Sequence, residues 1–229
     1  MAGDLRLCAP RLCALDLDGT LIDSQHHIVA AMAAAFRAQG LLPPTAAKVR
    51  EIVGLPLDRA ILRLAPEVRG LQLERVGQAY RDAYFDAKAV DGTAEPLMPG
   101  ARAALDALEA DGWMLAVVTG KGRRGLHDVL EAHGLRARFV VLKAAEDGPG
   151  KPDPALLLDA VVEAGSSPAR AVMVGDTVFD MGMARRARVA GIAVTWGYHT
   201  IEQLRTEQPA AVIGRFEELA TTAGRLVPM

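Results

Sequence analysis

Asp16-Leu17-Asp18-Gly19-Thr20 is the segment whose residue types most directly carry chemistry. It follows the apolar run Leu12-Cys13-Ala14-Leu15, which reads as a buried strand closed by a glycine turn signal. Carboxylates at i and i+2, where a strand ends, leave it on the same side. Two anions so placed repel, and the pair is costly without a cation. Gly19 allows a sharp turn that brings main-chain groups close to whatever binds there. Asp also favours turns and caps, so this segment alone does not decide its own role.

Three later segments carry complementary groups: Thr119-Gly120-Lys121, Lys151-Pro152, and Gly175-Asp176-Thr177 followed by Asp180. Together they supply carboxylates, a hydroxyl beside exposed N–H groups, and an ammonium, a set suited to phosphoryl transfer through a covalent aspartyl intermediate. In that chemistry a carboxylate attacks phosphorus, and a hard cation such as Mg²⁺ draws carboxylate and phosphate oxygens together. Thr119 and the neighbouring N–H groups can bind the transferring oxygens, while Lys151 adds fixed positive charge. Asp18 can donate a proton to the leaving alkoxide and take one from the water of the second step, which requires it to begin protonated. Each residue has an ordinary reading as well. Thr119 suits a helix cap, and Asp176 and Asp180 suit a helix N-terminus. Lys151 suits a solvated loop, yet only five of the 26 basic residues are lysines.

The elements that must position these groups alternate. Strands are expected over 12–15, 115–118, 139–142, 171–174, 192–195 and 211–213, with helices over 101–110, 125–132, 154–164 and 181–187 between them. Short apolar strands alternating with helices predict an α/β fold, a doubly wound parallel sheet covered on both faces. Its ligands bind beyond the carboxyl ends of the strands, where each of the four segments falls. Between Ser24 and Glu95 the pattern is helical only. Ile28, Met32, Ala35 and Phe36 share a face before Gly40. Thr45 can cap a helix running toward Val53, and Leu57, Ile61 and Leu64 mark a third. Val76, Ala79, Tyr80, Ala83, Tyr84 and Ala87 mark the longest. An inserted helical domain over residues 22–96 is expected, with the α/β core formed by 1–21 and 97–229.

The chain has 229 residues, enough for one such core carrying an insertion, with 51% hydrophobic and 24% charged residues and a net charge of −2. No Lys/Arg tract points to nucleic acid, and no apolar stretch reaches membrane-spanning length. Cys8 and Cys13 are the only cysteines, and Cys13 reads as a buried free thiol in a reducing compartment. Asp4, Arg6 and Arg11 break any signal-peptide core, so a cytoplasmic protein is expected. His127, His133 and His199 have no metal-ligand spacing, and oligomeric state is not legible.

With these motifs in order, the chain resembles the haloacid dehalogenase superfamily, in its phosphoglycolate-phosphatase-like branch. The resemblance runs through Asp16-Leu17-Asp18-Gly19-Thr20, Thr119, Lys151-Pro152, Gly175–Asp180 and on to Val194-Thr195-Trp196-Gly197-Tyr198. It implies a Rossmann-like core with a helical cap, Asp16 as nucleophile and Asp18 as acid/base. Thr119 and Lys151 would bind phosphate beside Gly120. Mg²⁺ would be held by Asp16, the backbone carbonyl of Asp18, and Asp176, with Asp180 in support. The implied partner is a small phosphorylated metabolite, with 2-phosphoglycolate the leading candidate and sugar phosphates, nucleotides and pyrophosphate also open. The second Asp separates phosphatases and phosphomutases from dehalogenases. The cap leaves the choice between phosphatase and phosphomutase open.

Two further readings compete. Gly120-Lys121-Gly122-Arg123-Arg124-Gly125 fits the dinucleotide fingerprint, but Lys143 follows Leu142 where an acidic ribose ligand is expected. A signalling receiver also combines Asp, Thr, Lys and Mg²⁺, though on a middle strand and without a cap. Within the cap, Arg59 and Arg63 lie at i and i+4, where they can meet a substrate carboxylate or simply face solvent. Arg59 is the candidate substrate-binding residue. Hinges between core and insertion are expected at residues 21–24 and 95–98, and His26 and His27, near the first, read as a solvated linker.

Overall fold

The computed structural model describes residues 9–91 and 95–229, so Asp4, Arg6 and Cys8 lie outside the described residues. The chain enters through β1 (Leu12–Leu15) and passes into four helices, α1 (Gln25–Ala38), α2 (Ala46–Arg50), α3 (Leu57–Leu64) and α4 (Gly70–Asp91). It returns through α5 (Ala101–Ala110), β2 (Met114–Val118), α6 (Arg123–Ala132), β3 (Phe139–Lys143) and α7 (Ala155–Glu163). β4 (Ala171–Gly175), α8 (Val178–Ala187), β5 (Ala190–Val194), α9 (Ile201–Arg205), β6 (Ala211–Ile213) and α10 (Leu219–Leu226) complete it.

The strands form one sheet in the order β3-β2-β1-β4-β5-β6, with every pairing parallel. The chain therefore winds outward from β1 in one direction and then the other, and the β1–β4 boundary is the switch point where such sheets open a crevice. Strand side chains alternate between faces. Cys13 and Leu15 enter the apolar cluster shared with α5, α6 and α10. Leu12 and Ala14 enter the one shared with α7 and α8. Cys13 is a buried free thiol, and burial pushes its ionisation well above the usual thiol range.

The helices α1 to α4 close on an apolar cluster of their own, in which Met32, Phe36, Val49, Ile61 and Val76 are buried. Two chain segments connect this bundle to the sheet, and they pair with each other. Asp23 N–H donates to the Pro96 carbonyl and Met98 N–H to the Leu21 carbonyl, each at 2.9 Å, and Ile22 bridges Leu97 antiparallel. Among the described residues, no helix is long and apolar enough to cross a membrane.

Boundaries shift where a local bond outweighs the periodicity. α2 stops at Arg50, ahead of the expected Val53, and Gly54 sits at φ +95° in the turn beyond. α8 starts at Val178, three residues before the apolar pattern, because Thr177 and Asp180 form a capping box. Two helices were not expected: α9, opened by the capping box of Thr200 and Gln203, and α10. The first carried a readable signal in Thr-x-x-Gln.

Candidate active site

β1 and β4 bring their carboxyl ends side by side, Asp16 N–H donating to the Val174 carbonyl at 2.9 Å. Asp16 and Asp176, which directly follow these strands, are thereby placed together. Asp180 joins them from the first turn of α8, where its carboxylate divides its two oxygens. Oδ2 accepts from Thr177 N–H at 3.0 Å and from the Thr177 hydroxyl at 2.6 Å. Oδ1 lies 2.6 Å from Lys151 Nζ. Asp180 therefore caps α8 through one oxygen and meets Lys151 through the other.

Lys151 sits in the turn before α7, fully buried, with Nζ also 2.6 Å from Asp16 Oδ1. Burial alone works against its charge, but Asp16 and Asp180 outweigh that and hold the ammonium above its ordinary pKa. Burial pushes the Asp16 carboxyl up to about 7 against the opposing pull of Lys151. Asp176 is raised well above the usual carboxylate range, first by burial and then by Asp180 and Asp16. Three carboxylates and one ammonium thus leave a site short of positive charge.

The side-chain oxygens of Asp16, Asp176 and Asp180 come within 4.8 Å of one another. Asp16 Oδ2 is buried with no hydrogen-bond partner, a cost that a cation removes. Asp176 is aimed by the Thr20 hydroxyl and by Tyr198 N–H, each at 2.8 Å. A set of hard oxygens with fixed orientation fits a small divalent cation such as Mg²⁺. Gly19 has φ +84°, and a Cβ there would strike Tyr198 and Asp176, so the turn after Asp18 requires glycine.

Asp18 turns elsewhere. Its Oδ1 lies 2.8 Å from Lys121 Nζ, so the two carboxylates of the first motif are separated by pairing with different lysines. Lys121 also lies 2.7 Å from the Tyr84 hydroxyl and 3.7 Å from Glu95 Oε2, and Tyr84 donates to Glu95. Glu95 is fully buried, and the Glu95 carbonyl pairs with His133 Nε2 at 2.7 Å. This network ties α4 and the returning segment to the loop after β2. Sequence reasoning missed it. Its only signal was a lysine two positions after Thr119, inside a glycine pattern that read as a dinucleotide loop.

That dinucleotide reading meets a direct obstacle. Arg123 N–H, at the start of α6, donates to both oxygens of Glu146 at 3.1 and 2.9 Å, so a carboxylate already fills the place a pyrophosphate would take. Thr119 does not cap α6, whose N-cap is Gly122. Its buried hydroxyl accepts from Lys121 N–H at 3.1 Å and shapes the loop. Gly120 passes so close to the bundle that a Cβ would lie 2.8 Å from the Gly54 carbonyl.

Asp16, Asp18, Thr119 and Gly120 open into a cavity of about 580 Å³ roofed by α1, α3 and α4. Lys151, Asp176 and Asp180 lie beneath it, fully buried. Arg59 is exposed on α3 and does not line the cavity; its neighbour Asp58 does. Arg63 is also exposed, its guanidinium 5.9 Å from the Phe179 ring centre. His26 is exposed, whereas His27 is buried against Tyr84, 4.0 Å from Glu95, and is no solvated linker.

The sequence pattern of the haloacid dehalogenase-like hydrolases matches residues 14–194. "Probable phosphatase IndB" of Dickeya dadantii is 36% identical over 224 residues, 95% of each chain. A phosphoglycolate phosphatase of Mesorhizobium japonicum is 31% identical over 223 residues, 94% of this chain and 96% of the relative. Among solved structures, a hydrolase from Pseudomonas syringae superposes with a TM-score of 0.84 at 25% identity, over 95% of this chain and 99% of that one.

Proposed function

Because the chain belongs to the haloacid dehalogenase-like hydrolases and is an enzyme of phosphatase type, we propose that it is a Mg²⁺-dependent phosphomonoester phosphatase working through a phosphorylated Asp16. The observation that carries this reading is the Asp16 carboxylate itself. It is fixed at one oxygen by Lys151, unpartnered at the other, and faces the cavity beside Thr119.

In the first step an Asp16 oxygen attacks phosphorus, the bond to the ester oxygen breaks, and Asp18 gives its proton to the departing alkoxide. In the second, water attacks the acyl phosphate while Asp18 takes its proton, releasing phosphate and restoring Asp16. Thr119 and Gly120 receive the phosphoryl oxygens, and Lys151 holds Asp16 in line and supplies fixed positive charge. Asp16, the Asp18 carbonyl and Asp176, with Asp180 in support, would hold Mg²⁺, which when bound neutralises the charge gathering on the phosphoryl oxygens. Residues 22–96 act as the cap on a core of 1–21 and 97–229, and the paired segments at 21–24 and 95–98 are its hinge, closing water out. The buried free thiol of Cys13 is in keeping with a reducing, cytoplasmic setting.

The relatives' names make 2-phosphoglycolate the first compound to assay. Phosphate release should require Mg²⁺, be poorly supported by Ca²⁺, whose looser geometry holds Asp16 badly, and vanish in Asp16→Asn. Release by folded wild-type protein that is indifferent to chelation, or that survives in Asp16→Asn within about tenfold, would overturn the assignment, since losing the attacking group costs several kcal/mol.

A further inference from the structure

Resting on the phosphatase reading above, the cavity carries information about the alcohol that leaves. Its floor is the phosphate end, formed by Asp16, Asp18, Thr119 and Gly120. Its walls are mainly apolar, with Met32, Val53, Leu57, Tyr80 and Phe85 contributed by the helical bundle and the turn after α2. At about 30 Å³ for a water-sized group, the nine heavy atoms of 2-phosphoglycolate fill at most ~270 Å³ of the 580 Å³ available. The remaining space has walls that reward apolar contact and give water few partners.

Charge points the same way. The wall cations are Lys121, Arg81 and Arg124, and Asp58, Asp82 and Glu146 match them in number. Lys121, nearest the phosphate end, is engaged by both Asp18 at 2.8 Å and Glu95 at 3.7 Å. Arg124 lies over the Phe85 ring at 4.0 Å with Asp128 at 3.9 Å, and Arg81 is held by Gln78 at 3.0 Å. A substrate carboxylate would enter where the wall cations are matched by wall anions and no surplus of positive charge awaits it.

We propose that the preferred substrate is a phosphomonoester of a bulky, uncharged, largely apolar alcohol with a flat ring system, seated between Tyr80, Phe85 and Leu57, and not the phosphate of a small hydroxy acid. Burial of the ring is retained in the transition state and raises kcat/KM.

The test compares 2-phosphoglycolate, benzyl phosphate and 2-naphthylmethyl phosphate, all of which release a primary alkoxide, so that leaving-group chemistry stays nearly constant. With Mg²⁺ present, kcat/KM should rise in that order, by at least about tenfold across the series. Phe85→Ala should shrink the ratio of naphthylmethyl to glycolate turnover. If that variant does not fold, the wild-type series decides alone. Equal or better turnover of 2-phosphoglycolate overturns the proposal. If none of the three is hydrolysed, the phosphatase reading itself falls. Calorimetric binding to the wild-type protein then decides separately: affinity for 2-naphthylmethyl phosphate at least about tenfold above that for 2-phosphoglycolate sustains the pocket, and equal or weaker affinity removes it.

Discussion

At the carboxyl ends of β1 and β4, Asp16, Lys151, Asp176 and Asp180 are almost wholly buried and held by named partners at 2.6 to 3.0 Å. Across the same cavity Tyr80 and Phe85 of α4 are only half-buried and meet their neighbours through ring contacts. The floor is thus rigid and electrostatic, while the roof is apolar and made of groups that can repack. Charge placement tolerates little displacement, because a buried ion loses its partner entirely. Apolar contact is non-directional and survives adjustment. Such a division would let the proposed phosphoryl chemistry be kept while the ester it acts on changes.

Substitutions can break or sharpen that contrast. Asp16→Asn should have the largest effect, lowering kcat by at least ~10³-fold with an unchanged circular dichroism spectrum. Lys151→Met leaves Asp16 and Asp180 buried without their cation, and a loss of about 3–5 kcal/mol of stability is expected in urea unfolding. A change below 1 kcal/mol would show that the floor is not the electrostatic unit described. Lys121→Met strips Asp18 and Glu95 of the lysine between floor and roof. It should cost ~1–3 kcal/mol in stability and lower kcat more than it raises KM. Thr177→Val removes the hydroxyl of the α8 capping box and should cost about 1 kcal/mol, read as a fall in Tm. Arg59→Ala, exposed and off the cavity, should change stability by less than ~0.5 kcal/mol and leave kcat/KM within about twofold.

Much of the floor was legible because its chemistry lies at strand ends. The strands announce themselves as short apolar runs, and the parallel alternation assigns their carboxyl ends to one edge. Asp16, Thr119, Lys151 and Asp176 are therefore legible in the sequence alone. The roof was legible only as helices. Periodicity marks the buried face of α3 but does not say which exposed residue turns toward a neighbour, so Arg59 was chosen where Asp58 meets the cavity. His27 likewise looked like linker because the burial it finds comes from Tyr84, far along the chain.

The amino-acid sequence by itself determined the order of the six strands and of the helices through α8, the inserted helical stretch, the buried thiol at Cys13 and the identity of the acidic groups. These follow from local periodicity and turn chemistry, which act over a few residues. The tertiary structure alone decided which charge meets which. Thr20 reaches Asp176 across 156 positions because β4 crosses over to lie beside β1. Lys151 falls between Asp16 and Asp180, and Lys121 between Asp18 and Glu95, by the same docking of distant segments. Coulombic pairing depends on distance in space and on exclusion of water, and neither is written in residue spacing.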